Sequence, residues 1–382
     1  MSGPAAERIV GVEVVRCALP IERPVRIGRT VYLEREYVAL RLRTGDGTEG
    51  HAIGYTRGLP LDAMVSGLAE GILGCRVSRR ASIVDGLVAA HQNASASLGR
   101  AFSLIDIALW DALARRAGLP LWRLLGGARS RVPIMVVAGY HASERGADAV
   151  VAEVRGLIED GFRQVKLHTA DAALVAQVLE AVGDAARIGI DVGMAWRSLP
   201  AALAAARPLD ELDLAFIEDP FPPERWRLTG ELRVRLRTPL AAGEDAAGKA
   251  LLTELAGVVD VLRIDATVGG GFGAVLDAAS VASARGAAVM THAFPDLHAH
   301  LAGAPAVGMV EMIPDTAGVN PVGRLLARRQ IVEAGELRLS EEPGHGAPLD
   351  WAAVEAIARS TARFEARDAD SETGSEEERG CS

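Results

Sequence analysis

Residues 163–311 decide the fold, because seven short apolar runs in them end on a polar residue: QVKLH (164–168), RIGID (187–191), LAFIE (214–218), PLAAGE (239–244), VLRID (261–265), AAVMTH (287–292) and VGMVE (307–311). The closing residues are Lys166 with His168, then Asp191, Glu218, Glu244, Asp265, His292 and Glu311. They recur about 19 to 27 residues apart, one strand plus one helix of chain. Three of the intervening segments are Ala-rich with helical spacing: DAVVAEVRGLIEDGF (148–162), LVAQVLEAVGDAA (174–186) and GAVLDAASVASARG (273–286). The strand runs are continuously apolar, as in parallel strands buried on both faces. Repeated βα units predict an α/β fold with a closed parallel barrel. There every strand's C-terminal end points at one mouth, so the polar residues gather in one cavity.

Outward from that stretch, the chain opens with a different pattern. RIVGVEVVRCAL (8–19) alternates, and YVALRLRTGDGTEGHAIGY (37–55) contains a hairpin turn at Gly45, Asp46 and Gly47. These read as antiparallel strands. Between them, IERPVRIGRTV (21–31) carries Arg23, Arg26 and Arg29. It reads either as a solvated loop or as a flap that offers Arg29 or Thr30 to an anionic substrate. Residues 60–125 read as helices, and Gly118 with Pro120 ends SLIDIALWDALARRAG. Asp106 and Asp111 on that helix read as structural. After residue 320 the pattern returns to mixed strand and helix.

Composition narrows the function. The 382 residues are 49% apolar and 24% charged, and the net charge is −9. An acidic chain without a basic, aromatic-interleaved patch is not built for nucleic acid. No long uncharged apolar run predicts a membrane span, and no signal peptide is visible. Cys17, Cys75 and Cys381 lie far apart, which is neither a disulfide framework nor a zinc pattern. A cytoplasmic protein is the simpler expectation. The tail from 367 onward is polar and acidic, and is expected to be disordered.

Asp191, Glu218 and Glu244 close three consecutive strands. Three ionised carboxylates converging on one point repel unless a cation neutralises them. All-oxygen ligation favours a hard ion, Mg²⁺ before Mn²⁺. Read singly, each acid is a loop or helix-capping carboxylate. Lys166 and His168 share one strand face, so both point into the mouth. Desolvation there disfavours the charged Lys166, making it a base or a close electrophile. Asp265 and His292 end adjacent strands. A carboxylate there orients the imidazole and leaves its other nitrogen to move a proton. His298 and His300 read as structural histidines. Glu311 is expected either to hydrogen-bond a substrate oxygen, in its protonated state, or to be a buried structural acid.

These residues, with the motifs SLIDIALWDALARRAGLPLWRLLGG (103–127), DVGMAW (191–196), IEDPFPPERW (217–226), GED (243–245), RIDATVGGGFG (263–273) and THAFPDLHAHLAGA (291–304), resemble the mandelate racemase subgroup of the enolase superfamily. The resemblance covers roughly residues 8–360. It implies a (β/α)₇β TIM-like barrel with an α+β capping domain, in symmetric homo-oligomers. The division it suggests is 1–128 for the cap, 129–318 for the barrel, 319–366 returning to the cap, and 367–382 for the tail. It implies Mg²⁺ on Asp191, Glu218 and Glu244, a substrate carboxylate neutralised by Lys166, an acid/base at His168, an Asp265–His292 dyad and an enolate-assisting Glu311. Three positions depart from the usual pattern: Gly193 for Asn, Ile264 for Pro, and His168 for Lys.

The chemistry implied is removal of the proton α to a carboxylate through an enediolate. Dehydration of an acid sugar to a 2-keto-3-deoxy acid is the first expectation. Racemisation or epimerisation of a 2-hydroxy acid is the alternative, and a non-catalytic metal-binding scaffold is the third reading. Substrate choice is expected in the cap, at residues 20–31 and at Tyr55, Thr56 and Arg57.

Overall fold

The computed structural model describes residues 5–27 and 30–366, with backbone only at 26, 27 and 30. Arg29, the Thr30 side chain and the tail 367–382 lie outside the described residues, and so do the expectations placed on them.

The chain begins with an antiparallel meander: β1 (Ile9–Ile27), β2 (Thr30–Thr44) and β3 (Glu49–Tyr55). The β2–β3 turn forms where its residues require it. Asp46 Oδ1 accepts hydrogen bonds from Thr44 Oγ1 at 2.6 Å and Thr48 N at 3.1 Å, while Gly47 takes φ +84°. The helix Ser95–Arg116 lies on β3. Contact is so close that a Cβ at Gly50 would sit 2.1 Å from the Ala108 carbonyl oxygen.

Eight parallel strands follow: β4 (Arg131–Ala138), β5 (Gln164–Leu167), β6 (Arg187–Asp191), β7 (Ile217–Glu218), β8 (Leu240–Ala242), β9 (Val261–Ile264), β10 (Ala288–Thr291) and β11 (Val310–Met312). Each pairs with the next from β4 to β10, and β11 pairs with β4. A Met290–Met309 bridge joins β10 to the β11 side and closes the barrel. Met135, Phe216, Ala241 and Val261 form one cluster inside it. Gly189 is required there, since its Cβ would lie 2.4 Å from the Phe216 ring. A filled interior leaves the mouth as the place for chemistry.

The C-terminal part returns along the outside. The hairpin β12 (Ile331–Glu333) and β13 (Glu336–Arg338) pairs with the start of β4, and β14 (Ala358–Glu365) pairs with β1. Buried Asp111 pins this return. It accepts backbone N–H groups of His51 at 3.0 Å and His345 at 2.8 Å, and the Arg115 Nε at 2.8 Å. Burial alone would raise its pKa, but His345 and Arg115 outweigh burial and hold it below the ordinary carboxylate value. No helix among the described residues is long and apolar enough to cross a membrane.

Candidate active site

The barrel mouth and the cap enclose a cavity of about 140 Å³. Lys166, His168, Asp191, Glu244, His292 and Glu311 all line it, together with Tyr55 from the cap. Adjacent strand ends bring the acids into register, with Asp191 opposite Glu218 across β6 and β7.

The tight acidic cluster differs from the expected trio. Among the described residues it is Glu218, Asp219 and Glu244 whose ligand oxygens lie within 4.8 Å of one another. Asp191 stands at the edge of this group, its Oδ1 accepting the Gly193 N–H at 2.8 Å and its Oδ2 lying 3.8 Å from Lys166 Nζ. Gly193, at φ +58°, sets no side chain between Asp191 and the cavity. Asp219 escaped the strand-alternation reading because the chain turns to φ +48° immediately after β7. That turn swings Asp219 onto the Glu218 side.

This donor set fits a hard cation. Glu218 Oε2 and Glu244 Oε2 are buried without a hydrogen-bond partner. Burial, then the neighbouring Glu218, pushes Glu244 well above the ordinary carboxylate range, and burial with Glu244 does the same to Asp219. Carboxylates this crowded are relieved by an ion of charge two or by protons.

Lys166 is buried, as the sequence predicts, and it is also paired with two carboxylates. Its Nζ lies 2.8 Å from Glu218 Oε1 and 2.6 Å from Glu311 Oε2. Burial would lower its pKa, yet Glu218 and Glu311 raise it well above the usual lysine value. These ion pairs favour its charged form. Glu311 is likewise ionised rather than protonated. Burial would raise it, but Lys166 and Arg263 hold it far below the carboxylate range.

Arg263 was not anticipated as part of this cluster. It is fully buried and pairs with Glu311, approaches Glu218 Oε1 at 3.2 Å, and donates to Thr291 O at 2.8 Å. The signal was present, since an arginine inside VLRID, in a strand buried on both faces, demands a partner.

The other wall is a dyad. His292 Nδ1 donates to Asp265 Oδ2 at 2.9 Å. Asp265 Oδ1 accepts from Thr267 N at 2.8 Å and Thr267 Oγ1 at 2.7 Å. Burial opposes ionisation of Asp265, but the His292 bond, then His298, keep it well below the ordinary value. With Nδ1 occupied, His292 Nε2 faces the cavity, 3.5 Å from Glu244 Oε1. The next residues, Ala293 at φ +44° and Phe294 at φ +41°, are held in the left-handed region, and Ala293 N donates to Glu311 Oε1 at 3.1 Å. His298 accepts from Ala266 N at 3.1 Å and donates to Ala293 O at 2.9 Å, so it braces the dyad loop. His168, on the second strand's end, stacks on Tyr140 with centroids 5.1 Å apart.

From the cap, Tyr55 lines the cavity with its ring, while its hydroxyl donates to Asn320 Oδ1 at 2.6 Å. Its oxygen is therefore engaged with the protein. Arg35 and Arg57 also line the cavity, and Arg35 had no distinguishing sequence signal.

Known proteins share this arrangement of domains. A family model described as "Enolase C-terminal domain-like" matches residues 149–353, and "Mandelate racemase / muconate lactonizing enzyme, N-terminal domain" matches residues 9–126. The chain is 28% identical over 327 residues to the L-talarate/galactarate dehydratase of Salmonella typhimurium, covering 78% of this chain and 79% of that protein. It is 26% identical over 374 residues to muconate cycloisomerase 1 of Rhodococcus opacus, covering 92% and 98%. The crystal structure of L-talarate dehydratase from Polaromonas sp., complexed with Mg and L-glucarate, superposes with a TM-score of 0.85 at 27% identity, covering 94% of this chain and 100% of that one. With both halves of the chain matched and the barrel-mouth geometry in place, this chain belongs to the mandelate racemase/muconate lactonizing enzyme family of the enolase superfamily.

Proposed function

We propose that the chain is a Mg²⁺-dependent enzyme that removes the proton α to a carboxylate and dehydrates an acid sugar to a 2-keto-3-deoxy acid. One observation carries this reading. The cavity-facing Nε2 of an Asp-braced imidazole, a lysine paired with two carboxylates and a crowded carboxylate cluster all meet at one cavity.

In this reading Asp191, Glu218 and Glu244 would hold the ion, with Asp219 beside them. When bound, the ion would supply Lewis-acid stabilisation of the charge that develops on the substrate carboxylate. Lys166 places a second positive charge against that carboxylate, and Glu218 with Glu311 keeps Lys166 charged and in position. Because Lys166 is held protonated, the proton-transfer groups are the two imidazoles. His168 takes the α-proton, and the C–H electron pair moves toward the carboxylate. His292, protonated and stabilised by Asp265, gives its proton to the β-hydroxyl, which leaves as water. The resulting enol tautomerises to the keto acid. Identity to acid-sugar dehydratases supports this reading.

A racemase or epimerase of a 2-hydroxy acid is the second reading. It is favoured by His168 and His292 reaching the cavity from the second and seventh barrel strands. A screen with Mg²⁺ in D₂O against mono- and diacid sugars and 2-hydroxy acids separates the two. Keto-acid formation is the expected result. Deuterium exchange or inversion without keto acid selects the racemase. Silence in both channels would leave a non-catalytic scaffold.

The division into a cap of 1–128 with 319–366 and a barrel of 129–318 belongs to this proposal, as do a symmetric homo-oligomer and a cytoplasmic setting.

A further inference from the structure

We infer that Arg35 and Arg57 of the cap form an anion subsite that takes the second carboxylate of a diacid sugar; the inference rests on the dehydratase reading of the same cavity. Both guanidinium groups lie against one ring, Arg35 at 5.4 Å and Arg57 at 5.5 Å from the Tyr55 centroid. Both line the cavity.

Neither arginine has an ion-pair partner among the described residues. Arg57 Nε is buried with no hydrogen-bond acceptor. Arg35 is 8% exposed, and its Nε donates only to the Val319 carbonyl at 3.0 Å. The acids near Arg57, Asp245 and Glu244, act on it through space without an ion-pair contact among the described residues, and each has another partner. Asp245 accepts from Arg100 at 3.0 Å, and Glu244 sits with the acidic cluster and His292. A buried guanidinium with no carboxylate in direct contact keeps donors unused, so a ligand anion has a ready place there. Arg57 holds φ +52°, a backbone state a non-glycine residue keeps only when its surroundings enforce it.

Charge also restricts where a second anionic group can go. Asp191, Asp219, Glu244, Asp245 and Glu311 line the barrel side of the cavity and repel it. The cap side offers two planar forks suited to bidentate carboxylate binding. Lys166 at the barrel and the arginine pair at the cap thus define two ends for a substrate with a carboxylate at each.

The test uses matched aldarates and aldonates, such as galactarate and galactonate, which differ only in whether C6 is carboxylate or alcohol. Binding to the Mg²⁺-loaded protein is read by calorimetry, and turnover by keto-acid release, over the hexose and pentose configurations. The diacid should bind about 10- to 100-fold more tightly than its monoacid. Arg57→Gln should collapse that ratio toward one, and Arg57→Lys should restore part of it. An arginine serving only to balance Glu244 and Asp245 would leave the ratio unmoved. Equal binding of the pair by the unaltered protein, or no binding of any diacid, overturns the subsite, and neither result depends on a variant folding. Diacid preference without keto acid would sink the dehydratase reading and leave the subsite standing. Keto acid from monoacids with no diacid preference would do the reverse.

Discussion

The two halves of the cavity are built on opposite electrostatic plans. On the barrel side, positive charges are closed inside the protein: Lys166 and Arg263 are each locked against Glu218 and Glu311. On the cap side, Arg35 and Arg57 rest on an aromatic ring and make no ion pair among the described residues. Barrel strand ends are rigid and can hold a reaction geometry to a fraction of an ångström, whereas the cap presents groups whose partner is yet to arrive. The difference suggests that chemistry is fixed by the first half and substrate choice by the second.

The largest effect is expected where the barrel half is cut at its centre. Glu218→Gln removes a cluster oxygen and a partner of two buried cations. Turnover should fall by roughly 10³-fold or more, and Mg²⁺ binding followed by calorimetry should weaken in parallel. Retained Mg²⁺ affinity would move the ion away from Glu218. His292→Asn comes next, with keto-acid formation reduced by about 10²- to 10⁴-fold. Deuterium exchange through His168 should survive in that variant, and loss of both together would mean that His292 is itself the α-proton base. Arg263→Met leaves Glu311 with Lys166 alone. Breaking a buried pair in this way should cost roughly 3–5 kcal/mol by denaturant unfolding. A cost under 1 kcal/mol would show that the lysine suffices. Tyr55→Phe, in the cap half, deletes only the bond to Asn320, and a stability loss of about 1 kcal/mol is expected from the same measurement.

Acid titration sharpens the same contrast. Asp265 and Asp111 are both held below the ordinary carboxylate value in the folded state. Their contribution is therefore present above the unfolded pKa of about 3.9 and is lost as pH falls below it. Thermal unfolding should show a declining melting temperature on that acid side. An Asp111→Asn variant should show a shallower decline.

Legibility in the sequence followed the same division. Asp265, His292, Lys166 and Glu218 could be found because each closes an apolar run, and a parallel barrel sends every such closing residue to one mouth. The 3.6- and 2-residue periods are local properties, so a reader of the chain can see them. Asp219 was hidden because alternation assigns it to the face opposite Glu218, and a positive φ reverses that assignment. Arg35 was hidden because a charged residue on the cap strand β2 looks the same in sequence whether it meets solvent or the cavity. The ion-pair partners of Lys166 and Glu311 were hidden for a related reason. Each depends on a neighbour from a strand far away in the chain, and Coulomb terms follow distance in space.

By itself the sequence determined the repeat of strand and helix, and with it the barrel and the set of polar residues at one end. It also determined which residue types were available there: acids, one lysine and imidazoles. Only the tertiary structure decided how those charges are paired. Burial makes an unpartnered charge expensive, so the pairing is chosen by which groups are brought within about 3 Å of each other. That choice set Lys166 between Glu218 and Glu311 and turned His292 Nε2 toward the cavity. It also set two cap arginines against the cavity without an ion-pair partner among the described residues.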